Sequence, residues 1–396
     1  MQKKAMAVAI ASALGSPAIA LAQTSTVQIY GTMYVEYAFI NQGHRVGGDR
    51  VDVDMLQTPG SNIGFKGEEK LGGGMSAWFQ CESTADPRGQ SQEGWCSRNS
   101  ALGLKGGFGN IFIGNWDTPF KRTISTATVG SNDTGVWGTA NLIAAGSTTV
   151  NGNSGRALFK RRQNNMIMYD SPSFAGFQVL AGLTASNHAT ANLDAQGNNK
   201  PRLWSVGAQY SAGPLYVSAG YERHSEWAGP TAIGTGDVHD KGWHVGAAYT
   251  WGPVRFGAVY TRQEFEHLTP FPGAESHLHA WQVGVDWHIV GPHGLRAAYT
   301  QAGDMEGTPG APAVGSTQSQ SRPGVPLAGP NDTGAKMWQV RYVYTFSKRT
   351  ELTLGYVQLN NDGNATAGGS YSLLGVGPGS PGSNQHAFAM GVRHRF

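Results

Sequence analysis

Val27-Gln28-Ile29-Tyr30-Gly31-Thr32-Met33-Tyr34-Val35-Glu36-Tyr37 alternates: odd positions are apolar, glycine or, at the end, tyrosine, and even ones are polar or tyrosine. A strand sends successive side chains to opposite faces, so this stretch has one greasy face and one wet face. The same two-residue period recurs in Trp243 to Thr250, Ala280 to Trp287, Met337 to Phe346 and Ala387 to Phe396. A helix would need a 3.6-residue period, which these segments lack. Segments of about ten alternating residues are the mark of strands that meet lipid on one side and water on the other.

Turn signals divide the chain regularly. Tight turns are predicted at Gly72-Gly74, Gly106-Gly109, Ser171-Gly176, Ala212-Pro214, Trp251-Pro253, Gly291-Gly294 and Ser347-Arg349. Seven short turns separate eight hairpins, which predicts an all-β fold: a 16-stranded antiparallel transmembrane β-barrel with long external loops and short periplasmic turns. Backbone N–H and C=O groups in hydrocarbon must be satisfied within a sheet that has no free edge, so the Val27–Phe39 strand is expected to pair with Gln385–Phe396. Sixteen strands enclose an aqueous lumen, whereas eight are filled by their own side chains.

Composition agrees. The chain has 396 residues with 57 glycines and only 14% charged residues; soluble domains carry about 7% glycine and about 25% charge. Each interior glycine costs a helix roughly 1 kcal/mol relative to alanine, which excludes a mostly helical protein. Lys3 and Lys4 precede the apolar run Ala5 to Ala13, and Ala20-Leu21-Ala22 suits signal peptidase, so residues 1–22 read as a signal peptide and 23–396 as the barrel domain. Without Lys3 and Lys4 there are 27 basic and 26 acidic residues, a balance that gives no pull towards nucleic acid. No later run of 18 apolar residues offers a membrane helix. Cys81 and Cys96 are an even number of thiols in an exported chain. They fit a disulfide worth about 3 kcal/mol, the other reading being two inert thiols.

The longest interval between short turns predicts a third loop over about Lys121 to Arg161, rich in Gly, Ser, Thr and Asn and able to fold against a wet wall. Loops near 303–334 and 362–384 are rich in Gly, Pro and Ser and read as external. On the strand leading out of the third loop, Ile167 and Tyr169 suit the lipid face, which puts Arg162 and Asn164 on the lumen side; Glu36 shares the polar face of the first strand.

Several motifs resemble those of the general diffusion porins of Gram-negative outer membranes, most closely the β-proteobacterial trimeric type. Val27-Gln28-Ile29-Tyr30-Gly31 is similar to that family's first strand, and Ser61 to Gly74 (SNIGFKGEEKLGGG) to its second strand and first turn. Gly103 to Asn110 (GLKGGFGN) and Ser171 to Phe177 (SPSFAGF) resemble two later turns, and Phe396 matches the terminal aromatic read by the barrel-insertion machinery. The resemblance implies a homotrimer surrounded by outer-membrane lipid and lipopolysaccharide. It also implies a water-filled channel for passive diffusion of ions and small hydrophilic solutes, constricted where the third loop enters the lumen. Carried over by position, Arg98 and Arg162 match wall arginines of the constriction, with Asp133 as the main acid of the loop and Asp117 at its approach. Lys121, Arg122, Arg156, Lys160 and Arg161 bracket the loop, and Glu36 lies on the wall. Asn62, Thr32 and Asn115 stand where relatives often carry basic residues, and the acidic Pro-Glu-Phe-Gly stretch of many relatives is absent. A weak to moderate anion preference follows; a substrate-selective outer-membrane channel is the alternative.

Other signals point elsewhere only weakly. Gly377-Pro378-Gly379-Ser380-Pro381-Gly382 has G-x-G-x-x-G spacing, but its prolines remove the strand-to-helix setting that a dinucleotide needs. No G-x-S-x-G or H-E-x-x-H occurs, so neither an enzyme nor a cofactor is expected; an outer-membrane enzyme would need a wall constellation that no motif selects. His277 and His279 share a strand face, with His267 across a loop, but a solvated pair is the simpler reading than a metal site. A secreted all-β binding protein would not need sixteen lipid-compatible segments.

Overall fold

The computed structural model describes residues 26–43, 52–91, 93–144, 159–185, 202–225, 239–266, 275–304, 306–307, 332–363, 371, 373 and 382–396. The expected signal segment, Arg156, His267 and Gly377 to Pro381 lie outside them. Sixteen antiparallel wall strands close into a barrel. In chain order they are β1 (Thr26–Asn41), β2 (in two pieces, Asp52–Gln57 and Asn62–Gly72), β3 (Met75–Thr84), β4 (Ser100–Gly106), β5 (Gly109–Asp117), β6 (Arg162–Asp170), β7 (Phe177–Thr184) and β8 (Arg202–Ala212). The second half comprises β9 (Leu215–Ser225), β10 (His239–Trp251), β11 (Val254–Glu266), β12 (Glu275–Val290), β13 (His293–Ala302), β14 (Ala335–Thr345), β15 (Thr350–Asn361) and β16 (Asn384–Arg395). Each strand pairs with its chain neighbours, and all seven expected short turns join the strands at the predicted positions.

The seam closes as anticipated. β1 pairs with β16 from Thr32 opposite Arg395 to Asn41 opposite His386. Phe396 extends the seam: its N–H donates to the Gly31 carbonyl and the Gly31 N–H donates to its carbonyl, both at 3.1 Å. β1 spans the full height of the wall, so its upper half pairs with the first piece of β2 and its lower half with the second.

The two-residue period sorts the faces. On β1, Val27 and Ile29 are 58% and 63% exposed on the outside, whereas Tyr34 and Glu36 are 1% and 0% exposed inside. A ladder of outward tryptophan and tyrosine runs from β8 to β16, with Tyr221 opposite Trp243, Tyr260 opposite Trp281, Tyr299 opposite Trp338 and Tyr356 opposite Phe388. Such rings sit well at a membrane interface, apolar in body and polar at the tip. On β4 and β5 the exposed outward residues are instead Leu102, Leu104, Ile111 and Ile113. β6 departs from simple alternation: its register against β5 shifts between Gly114 and Trp116, and Asn165 has a φ of 57°. The extra residue puts the buried Gln163 on the face of Met166 and Met168, which reverses the parity reading for Asn164 and Arg162 alike; Asn164 is exposed, and Arg162 meets Asp117 and Asn99 where the strand ends.

Cys81 and Cys96 form a disulfide, their Cα atoms 4.7 Å apart. It ties the second loop to β3 and sets the 78% exposed Trp95 beside Phe65, ring centroids 6.5 Å apart.

The seam carries a first prediction. A Cβ at Gly31 would lie 2.6 Å from both the Asn62 carbonyl and the Phe396 ring. Gly31→Val should therefore cost about 1–3 kcal/mol by overpacking. Urea unfolding of the detergent-solubilised barrel would measure it; an unchanged midpoint would place the terminal aromatic elsewhere.

Candidate functional site: the loop-lined lumen

The third loop leaves β5 at Asp117 and returns to β6 at Arg162, enclosing the expected 121–161 segment. Thr118 starts a helix, α1 (Pro119–Ala127), because its side chain accepts from the Lys121 N–H and Pro119 fits the first turn. Phe120, Thr123, Ile124 and Ala127 form the buried stripe of α1. A second short helix, α2 (Ala140–Ile143), follows. The composition of the loop suggests little apolar content, yet Phe120, Ile124, Val129, Val136, Trp137, Leu142, Ile143 and Phe159 join one core with inward wall residues such as Val259 and Phe265.

Inward polar groups on the wall fasten the loop from Phe120 to Ile143. Phe120 N–H donates to Ser205 Oγ at 3.0 Å, and the hydroxyls of Tyr216 and Ser218 donate to the Thr123 carbonyl at 2.8 and 3.0 Å. Further on, Arg341 donates from Nη2 to the Gly130 carbonyl at 2.6 Å and from Nη1 to Asn132 Oδ1 at 3.1 Å. Gln339 donates to the Trp137 carbonyl at 3.1 Å, and Thr261 and Gln263 donate to the Ile143 carbonyl at 2.6 and 3.0 Å. Trp137 Nε1 and the Tyr34 hydroxyl both donate to Glu36 Oε2. The loop thus crosses from the β8–β11 side to β1, where Gly135 lies against Pro59.

Most of the expected charged residues meet at the root of the loop. Arg98 pairs with Glu82 at 2.7 Å, and Glu82 also accepts from the Tyr30 hydroxyl at 3.1 Å. Asp117 takes Lys121 at 2.9 Å and Arg162 at 3.3 Å, and Asn99 bridges Arg162 and Asp117. Arg122 makes a two-pronged contact with Asp170, both arms 2.7 Å. Lys160 pairs with Asp133 at 2.6 Å. Burial opposes the charge on Asp133, but Lys160 and then Lys121 outweigh it and hold the carboxyl below the ordinary carboxylate range.

Two expected residues sit differently from this group. Glu36 lies buried beneath Trp137 as an anchor of the loop. Arg161 closes the neck of the loop through its main chain, its carbonyl accepting from the Thr118 N–H at 3.1 Å. Asn62 donates to the Gly60 carbonyl and Asn115 to the carbonyls of Ser97 and Arg98, both local uses. On the extracellular rim His277 and His279 share Glu306, at 3.0 and 3.7 Å.

A second charged band, absent from the sequence reading, crosses the opposite wall nearer the short turns. Arg255, Asp286, Arg296 and Arg341 are successive cross-strand partners on β11 to β14. Arg296 meets Asp286 at 3.2 Å and Glu351 at 3.3 Å; Arg393 meets Glu351 at 2.9 Å and covers the Tyr34 ring at 4.5 Å. The signal was present: Arg341 and Arg393 fall on the wet parity of the alternating segments Met337 to Phe346 and Ala387 to Phe396.

A closed barrel of sixteen strands, with a lipid-compatible outer face and a loop bonded to its inner wall beside paired charges, defines the porin class. The chain belongs to the Gram-negative porin family, whose model matches residues 5–364. It is a multi-pass β-barrel protein of the Gram-negative outer membrane. It is 32% identical over 212 residues to the major outer membrane protein P.IB of Neisseria gonorrhoeae, 53% of either chain, so it spans about half the length of the curated relatives it matches. The fold is similar to the anion-selective porin from Comamonas acidovorans, at 22% identity and a TM-score of 0.71 over 94% of this chain and all of that one. It is also similar to OmpT of Vibrio cholerae in its trimer form, at 17% identity and a TM-score of 0.62 over 94% and 100% of the two chains.

The anchor at Trp137 carries a second prediction. Trp137→Ala removes a fully buried side chain, at about 3–5 kcal/mol, and leaves Glu36 with one donor fewer. Single-channel recordings should show a larger and noisier open current. Unchanged conductance and noise would mean that this contact does not hold the loop.

Proposed function

We propose that the protein forms a water-filled channel for passive diffusion of ions and small hydrophilic solutes, with a weak to moderate anion preference. The observation that carries the reading is the third loop bonded across the lumen beside charges among which cations are in excess. At the loop root Arg98, Lys121, Lys160 and Arg162 face Glu82, Asp117 and Asp133; on the far wall Arg255, Arg296, Arg341 and Arg393 face Asp286 and Glu351. Within roughly 8 Å, the Debye length at physiological salt, such an imbalance enriches anions without excluding cations. The similarity to a porin described as anion-selective supports the sign. Arg98, Arg162, Lys121, Asp117 and Asp133 are assigned to the constriction, with Glu36 and Arg161 as supports of the loop.

Reversal potential in a salt gradient across a planar bilayer tests this reading. Wild type should favour chloride over potassium modestly, and Arg162→Gln should shift the potential towards cation preference, more so at low salt. A strongly cation-selective wild type, or a silent Arg162→Gln, would defeat the assignment.

The same reading includes a homotrimer, joined on the side of β1 and β16 extending towards β4 and β5. The outward Trp/Tyr ladder from β8 to β16 and the aliphatic outer face of β4 and β5 support a wall divided between lipid and protein, and one similar structure is described as a trimer. Native mass spectrometry in mild detergent should give three times the chain mass; monomer alone would refute it.

A further inference from the structure

Among the described residues, a group of inward-facing aromatic side chains stands apart from the core that the third loop builds. Trp78 on β3 and Phe112 and Trp116 on β5 touch one another, with ring centroids 5.4 Å apart for Trp78 and Phe112, 5.2 Å for Phe112 and Trp116, and 5.8 Å for Trp78 and Trp116. Their neighbours Phe79, Ile111 and Ile113 are exposed on the outer face, so these three rings belong to the lumen side. They form a cluster with Met166, Met168 and Leu203 that contains no described residue of the third loop, separate from the core that the loop builds. Phe112 is buried, but Trp78 and Trp116 are each half-buried. The wall makes room for them: a Cβ at Gly103 would lie 2.6 Å from Trp78 Nε1. That indole N–H donates to Asn110 Oδ1 at 2.7 Å, which satisfies its edge.

Charge brackets this patch on both sides. Trp116 adjoins Asp117, where one carboxylate serves both Lys121 and Arg162. Trp78 is the cross-strand partner of Glu68, where again one carboxylate serves two cations, Lys70 and Lys105. Each group has one cation more than its acid neutralises.

We propose that Trp78 and Trp116 form a transient binding site for small aromatic carboxylates on their way through the lumen, the ring lying against an indole and the carboxylate drawn to the excess cation above or below. The site refines the pore reading given above and rests on it. Aromatic rings favour offset or edge contacts with one another, which a saturated ring of equal size cannot make. A weak site in a wide lumen raises the local concentration of such an anion while still releasing it.

Benzoate and cyclohexanecarboxylate, equal in charge and close in size, separate the idea from simple anion attraction. Added to single channels in potassium chloride, benzoate should interrupt the current at about tenfold lower concentration than cyclohexanecarboxylate, a difference of about 1.4 kcal/mol. Trp78→Ala and Trp116→Ala should each weaken the benzoate block several-fold relative to the variant's own open current, and Trp78→Phe and Trp116→Phe should restore most of it. Equal block by the two acids in wild type, or alanine variants that block like wild type, would overturn the proposal. If the alanine variants yield no folded barrel, the wild-type comparison of the two acids decides. A conducting, anion-preferring wild type that treats both acids alike defeats this inference alone, whereas a chain that conducts no chloride defeats the pore reading beneath it.

Discussion

A strand in hydrocarbon has no water to satisfy an edge, and that constraint shapes the whole molecule. Each unsatisfied N–H or C=O there costs several kcal/mol, so β1 must find β16 and the terminal Phe396 must complete the exchange with Gly31. Closure then fixes the interior. Sixteen strands cannot fill their own lumen with side chains, and the space left is wide enough for a polypeptide segment to enter.

What enters must be satisfied in its turn, and the inner wall is written for that purpose. Ser205, Tyr216, Ser218, Thr261, Gln263, Gln339 and Arg341 are wall residues whose polar atoms bond the main chain of the third loop or its immediate side chains. They stand where water would otherwise stand. The loop meanwhile brings its own apolar residues, so the contact is half hydrogen-bonded and half packed. Arg341 shows the balance: fully buried, it has neutral acceptors on the loop and the Trp137 ring at 5.2 Å. Losing such acceptors would strand a charge, which costs far more than an exposed bond.

The barrel was legible because its period is local. Val27 to Tyr37 alternates whether or not the chain is folded, and glycine turns such as Gly72 to Gly74 announce themselves. The path of the third loop was not legible, because nothing local shows that Glu36, on the wet face by parity, meets Trp137, 101 residues away. Parity identifies a face; it does not say whether water or a loop covers it. Asn164 illustrates the other limit, since one extra residue at Asn165 reverses the faces and a bulge leaves little trace in sequence. Phe112 escaped for a related reason: between Ile111 and Ile113 it reads as part of a continuous apolar run, and only the outward exposure of its neighbours turns it inward.

The pairing of charges decides what kind of field the lumen can hold. A cation matched by one carboxylate contributes little beyond a few ångströms, so Arg98 with Glu82 is nearly silent at a distance. On the far wall Arg255 and Arg341 bond the neutral carbonyls of Thr126 and Gly130; elsewhere the residual field comes from places where two cations share one acid: Lys121 and Arg162 at Asp117, and Lys70 and Lys105 at Glu68. Each is a partial excess in which the shared carboxylate holds two mutually repelling cations near one another. Spread over both walls, such sites bias passage without forming a trap deep enough to stop it. Weak selectivity is therefore a property of the pairing pattern: removing one shared acid would raise the local excess from one cation to two.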